Sequence, residues 1–160
     1  MLGMLFLGTL GVGVKEAHAQ SQVGYHASVT HAVNSENTAS MPPTGAYNWF
    51  PYPWCTWGAD QRYFELHGVY VPWRTNADAW NWTNLAYQYG WQVSSTASPG
   101  AIINLQPWVQ GAYGLGHVAV VEVVYSDGSV LASNTAWGAD PYQVTYVHFY
   151  PGPGVTFIQW

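Results

Sequence analysis

The stretch His117 to Tyr125, HVAVVEVVY, restricts the fold most, because its only charged residue is Glu122 and it shows no helical period. A run this short, apolar and β-branched reads as a central strand covered on both faces. Ser126-Asp127-Gly128-Ser129 follows as a turn signal, and Val130 to Asn134 returns as the next strand. Ala101 to Leu105, Tyr142 to Tyr150 and Thr156 to Trp160 supply further strands, so everything after Ser98 reads as sheet.

Two helices are expected ahead of the sheet. In NWFPYPWCTW, residues 48–57, Pro51 and Pro53 forbid a helix interior, so the first helix must begin after Pro53. Cys55, Ala59, Tyr63 and Leu66 then fall at helical spacing, and Gly68 is a natural stop. Cys55 thus lies in a first helical turn, where the helix dipole favours thiolate over thiol. A second helix fits Asn76 to Tyr89, with Asn76 as cap and Gly90 as stop. Helices first and antiparallel sheet second is an α+β order.

The chain has 160 residues, enough for one domain with a single core. Charged residues make up 7%, net charge is -5, and only Lys15, Arg62 and Arg74 are basic. Nucleic acid requires several phosphate contacts and an anionic membrane requires a polybasic patch, so neither partner is expected. Met1 to Val14 is apolar and ends in Ala17-His18-Ala19. It is too short to span a bilayer comfortably and resembles a signal peptide cleaved after Ala19. The expected organisation is a signal peptide at 1–19, a flexible Ser/Thr/Asn-rich arm at 20–46 and a folded domain at 47–160. Export leaves a monomer outside the cell, at the cell wall.

An exported chain with one cysteine has no internal disulfide, so Cys55 is either buried and inert or kept for chemistry. A thiol hydrolase also needs a base and a group that orients the base. Of six histidines, His117 is the best base, since it follows Gly114-Leu115-Gly116 and opens a strand. His18, His26 and His31 precede the domain, His67 ends a helix and His148 lies on an outer strand. Asn134 either orients the base or serves the backbone at a strand end. In a simple hairpin about Asp127-Gly128 it opposes Val121 and shares the face of His117, four residues away; a wider turn brings the two closer.

The string Tyr52-Pro53-Trp54-Cys55-Thr56-Trp57 resembles the nucleophile motif of the CHAP domain, the cysteine- and histidine-dependent amidohydrolase/peptidase module. Ser98-Pro99-Gly100-Ala101-Ile102, Gln106-Pro107, Gly116-His117-Val118-Ala119 and Asp127-Gly128-Ser129-Val130 follow in the family's order. The resemblance runs from about Asn48 to Trp137. It implies a papain-like fold, with a helix carrying the nucleophile Cys55 packed on an antiparallel sheet carrying the base His117. It also implies cleavage of peptidoglycan amides, either between N-acetylmuramic acid and L-alanine or within stem peptide and cross-bridge. Two departures stand out. Ser133-Asn134-Thr135-Ala136-Trp137 replaces a Ser-Glu-x-Asn-Trp pattern, leaving an amide, Asn134, as the third catalytic candidate. Pro53-Trp54 replaces Gly-Gln before the cysteine.

No acidic cluster or Cys/His spacing suits calcium or zinc, so no metal or other cofactor is expected. Trp54, Trp57, Trp108 and Trp137 are candidate substrate-binding residues, as walls of a groove for a glycan or stem peptide. The competing functional reading is a non-catalytic wall- or glycan-binding module derived from such an enzyme.

Overall fold

The computed structural model describes residues 40–160; the expected signal peptide and most of the arm lie outside them. Two helices and a six-stranded sheet make up this region. Helix α1 is Cys55–His67, a 3₁₀ turn covers Ala79–Asn81, and α2 is Trp82–Gln88. The strands are β1 Gln92–Ser94, β2 Ile102–Leu105, β3 His117–Val124, β4 Val130–Asn134, β5 Thr145–Phe149 and β6 Val155–Gln159. Their order across the sheet is β1-β6-β2-β3-β4-β5 with every pair antiparallel, an α+β fold as expected.

Strand β3 is buried from His117 to Val121 because both of its faces are covered. Val118 and Val120 meet Ala59 and Tyr63 of α1, Trp82, Leu85 and Ala86 of α2, and Trp73 in one apolar cluster. Ala119 and Val121 join a second cluster with Ile103, Leu105, Ala132, Phe149 and Phe157 on the opposite face. Each buried Val, Leu, Ile or Phe among them contributes roughly 1.5–3 kcal/mol by leaving water. Alternation along β3 therefore separates two cores, and the odd-numbered face begins with His117.

Helix α1 ends as expected, with Gly68 in the left-handed conformation at φ 73° donating its N–H to the Phe64 carbonyl at 2.8 Å. Its buried side differs from the expected stripe: Leu66 is exposed and Asp60 is buried. The Asp60 side chain reaches back to the loop after the helix, where Oδ1 accepts the Val71 N–H at 2.7 Å. The second helix starts later than Asn76, which takes φ 51° and cannot open a right-handed helix. Its carbonyl instead accepts the Asn81 side-chain amide at 2.8 Å, and helix forms only from Trp82. Strand β1 was not expected. It is three residues long, too short for a visible alternation, and forms by pairing with β6. The chain also joins the fold ahead of Tyr47, since the Pro42 and Pro43 carbonyls accept the indole N–H groups of Trp160 and Trp91.

The β3–β4 hairpin sets the geometry of the site. Tyr125 N–H bonds the Ser129 carbonyl at 2.8 Å, so the loop holds three residues, with Gly128 left-handed at φ 84°. Farther along, the register shifts by one residue between Val121 and Val123, which makes Glu122 a bulge. Val120 then pairs with Ser133, and one more step sets Asn134 opposite Ala119. Without the bulge Asn134 would turn to the helical face. Arg62 of α1 grips the bulged Glu122 through two bonds of 2.8 and 2.9 Å, and Ser133 Oγ donates to the same carboxylate at 2.7 Å. Helix, bulge and hairpin register are thereby tied together.

Candidate active site

Cys55 is the first residue of α1, and the preceding Trp54 offers no side-chain cap. The first helical bond runs from the Gly58 N–H to the Trp54 carbonyl at 3.1 Å. This leaves the N–H groups of Cys55, Thr56 and Trp57 outside the helical ladder. The Trp54 carbonyl also accepts the Thr135 hydroxyl at 3.0 Å, which joins the helix start to the end of β4. Gly58 is required for that approach, because a β-carbon there would overlap the Thr135 side chain.

Cys55 as a whole is half-buried, its sulfur lies on the buried side, and the backbone N–H groups of Val118, Thr56 and Cys55 itself act on that sulfur. The Val118 contact sets the sulfur beside the residue that follows His117. Burial pushes the Cys55 thiol up from its ordinary value, and these three N–H groups offset part of the rise. The negative charge of Asp78 adds a smaller upward push. Desolvation of the sulfur thus opposes the thiolate that a helix start favours.

His117 opens β3 immediately after Gly116, whose φ is 70° and where a β-carbon would strike the Leu105 carbonyl and the Trp80 backbone. His117 is 4% exposed, and its Nε2 lies 2.9 Å from Asn134 Oδ1. The Asn134 amide nitrogen donates to the Ala132 carbonyl at 2.7 Å and the Thr145 carbonyl at 3.4 Å. With its donors committed, Asn134 presents oxygen to the imidazole. The proton therefore belongs on Nε2, and Nδ1 keeps a free lone pair. Trp137 covers the ring at a centroid separation of 4.5 Å and an angle of 56°. Burial lowers the His117 pKa to about 4, with the Asn134 bond acting weakly in the opposite direction. Both shifts favour the neutral forms of the pair, thiol and imidazole.

This burial has a signed consequence for stability. The unfolded chain takes up the His117 proton near pH 6.5 and the folded one near 4, so acidification through that window costs the fold about 3 kcal/mol. Asp60 acts in reverse: burial raises it from 3.8 to about 7, so acidification through that window stabilises the fold by about 4 kcal/mol. The two contributions oppose each other in the wild type. Urea denaturation at pH 7 and pH 4.5 is expected to show His117→Gln gaining stability on acidification relative to wild type. Asp60→Asn is expected to lose it. Parallel pH profiles for all three proteins would contradict this assignment.

Cys55 and His117 line one open cleft of about 1260 Å³. Trp54 and Trp137 also line it, whereas two other expected walls do not. Trp57 faces a separate groove beside Arg62 and Tyr146, and Trp108 is 75% exposed, outside the cleft, with its ring near Gly114. Arg74 and Asp78 stand on the cleft wall without having been singled out from sequence. The visible signal for Arg74 was its rarity as a cation. Among the described residues, no three His, Cys, Asp or Glu side chains gather into a metal-binding group.

The chain is 38% identical over 98 residues to N-acetylmuramoyl-L-alanine amidase sle1 of Staphylococcus epidermidis, covering 59% of this chain and 28% of that protein. It is 45% identical over 71 residues to Staphylococcal secretory antigen ssaA2 of Staphylococcus aureus, covering 44% of this chain and 25% of the other. A crystal structure of an N-acetylmuramoyl-L-alanine amidase from Staphylococcus aureus superimposes with a TM-score of 0.57 at 27% identity. That match covers 74% of this chain and 34% of the amidase. The chain thus spans about a quarter to a third of the length of these relatives. The CHAP domain model matches residues 46–135, more than half of the chain and all of the segment that runs from the Cys55 helix through His117 to Asn134, and the chain belongs to the CHAP domain family.

Proposed function

We propose that this chain hydrolyses amide bonds of bacterial peptidoglycan, with Cys55 as nucleophile, His117 as general base and Asn134 as the group that orients His117. The bond cut is either that between N-acetylmuramic acid and L-alanine or one within the stem peptide and cross-bridge. The observation that carries the reading is the buried 2.9 Å bond from His117 to Asn134 on a ring that shares the Cys55 cleft. Similarity to proteins named amidases supports the substrate class.

The chemistry follows from the neutral forms that both shifts favour. As Sγ bonds to the amide carbon, the thiol proton passes to Nδ1 of His117, so no separate thiolate and imidazolium need form first. The uncapped N–H groups at the start of α1 are donors for the carbonyl oxygen as it becomes negative. Collapse breaks the C–N bond, and the amine leaves with the imidazolium proton. Water, activated by His117, then hydrolyses the thioester and restores the thiol. Trp54 and Trp137 serve as cleft walls for the substrate. The apolar N-terminal run and the Ala17-His18-Ala19 pattern support export to the cell wall, and the protein is expected to act as a monomer and to use no metal.

Digestion of purified sacculi, with product masses and newly freed amino groups read together, tests the proposal. An amidase frees the L-alanine amine and an endopeptidase frees one farther along the peptide. Sedimentation of the protein with sacculi without any released product would favour a wall-binding module instead.

A further inference from the structure

We infer that Arg74 receives a carboxylate of the bound substrate and so determines which peptidoglycan strands the cleft accepts. This inference rests on the peptidoglycan reading above. Arg74 lines the same cleft as Cys55 and His117, and its guanidinium carbon stands 4.2 Å over the Trp49 ring and 5.4 Å from the Tyr47 ring centre. Those two rings lie 4.4 Å apart at 34° and form a shelf under the cation. The intervening Asn48 fixes the shelf to the catalytic helix: its amide donates to the Trp57 carbonyl at 2.9 Å, and its oxygen accepts the Phe50 N–H at 3.1 Å.

Stacking uses the flat face of a guanidinium and leaves the N–H donors in its plane for a ligand. Nothing in the described part of the protein claims them with a carboxylate. Of the two arginines there, Arg62 is held by Glu65 and Glu122, and Arg74 makes no ion pair. Among the described residues, Arg74 is thus the cation available at the cleft, and its planar fork matches a carboxylate bidentately.

Charge makes the case sharper. The chain carries a net charge of -5, and Asp78 adds a negative group to the same cleft. The field of such a protein opposes an anionic ligand. Stem peptides carry free carboxyls, so a strand that binds here needs a local cation. A stacked arginine that is merely structural would have no reason to discriminate a carboxylate from its amide, which have nearly the same shape.

The test uses the Cys55→Ala protein, which binds without turnover, and one muramoyl tetrapeptide with its carboxyls either free or amidated. Titration by calorimetry is expected to show the free acid binding roughly tenfold tighter, as a charge-assisted pair at a partly exposed site allows. Adding Arg74→Gln is expected to weaken the acid and erase the preference, and Arg74→Lys to keep part of it, since charge remains without the fork. Raised salt should shrink the preference. Equal binding of acid and amide by the Cys55→Ala protein would overturn the inference. So would an equal loss for both ligands on Arg74→Gln, which would mark Arg74 as a shelf only. An acid preference in a protein that releases nothing from sacculi would refute the hydrolase reading and leave the carboxylate site standing. Active hydrolysis without that preference would do the reverse.

Discussion

Cys55→Ala is expected to abolish release of soluble fragments from sacculi, by about 10⁴-fold or more, while leaving the fold in place. No other side chain can replace the sulfur, because the described residues contain a single cysteine and it starts the helix whose N-terminus shares a cleft with His117. The change removes one sulfur atom beside an open cleft, so it leaves little enclosed space and should cost about 1 kcal/mol of stability. Cys55→Ser is expected to fail nearly as completely. A hydroxyl gives up its proton far less readily than a thiol, and a base whose pKa burial lowers to about 4 is poorly matched to take it. Circular dichroism and urea denaturation beside the activity assay separate lost chemistry from lost structure. Residual activity within tenfold of wild type would exclude the thiol as nucleophile.

Asn134→Ala is expected to lower turnover by about 10²-fold with little change in KM, because the amide acts on the base and not on the substrate. The bond it makes fixes the proton on Nε2; without it the neutral imidazole redistributes between tautomers, and part of the population loses its free Nδ1 lone pair. Two carbonyls, of Ala132 and Thr145, also lose their donor, at a cost of about 1–3 kcal/mol. A stability change alone would not move the tautomer, so the deciding readout is the nitrogen NMR spectrum of the His117 ring. Wild type should show Nε2–H, and the variant a mixture. Asn134→Asp and Asn134→Glu are poor replacements at a position only 3% exposed, since a carboxylate would set a second oxygen against those same carbonyls. An unchanged NMR spectrum and rate in Asn134→Ala would move the orienting role elsewhere.

Much of this arrangement is legible in the amino-acid sequence. The apolar run at 117–125, the return strand at 130–134 and the Pro53–Gly68 frame around α1 all rest on local rules, and they appear close to their expected bounds. The shared face of His117 and Asn134 was also legible, yet through two errors that offset each other. The hairpin loop is one residue longer than a simple turn about Asp127-Gly128, and Glu122 adds a one-residue bulge. Each offset alone would flip Asn134 to the other face; together they restore the face and bring it two residues closer to His117. The bulge depends on Arg62, sixty positions away in sequence, and no local pattern announces such a contact. The same holds for the thiol: a helix start is visible in sequence, whereas the burial that opposes its dipole is a product of packing. Asn76 failed as a helix cap because its backbone is left-handed, and it lines the cleft instead.

The central claim is that an acyl group passes through Cys55. Rapid acid quench of a digestion followed by intact-protein mass spectrometry measures this directly. The account predicts a transient mass increase equal to the acyl fragment, located on the peptide that holds Cys55, discharged by hydroxylamine and absent from Cys55→Ala. An acyl group on another residue, or hydrolysis that continues at the wild-type rate after Cys55 has been fully alkylated, would contradict it.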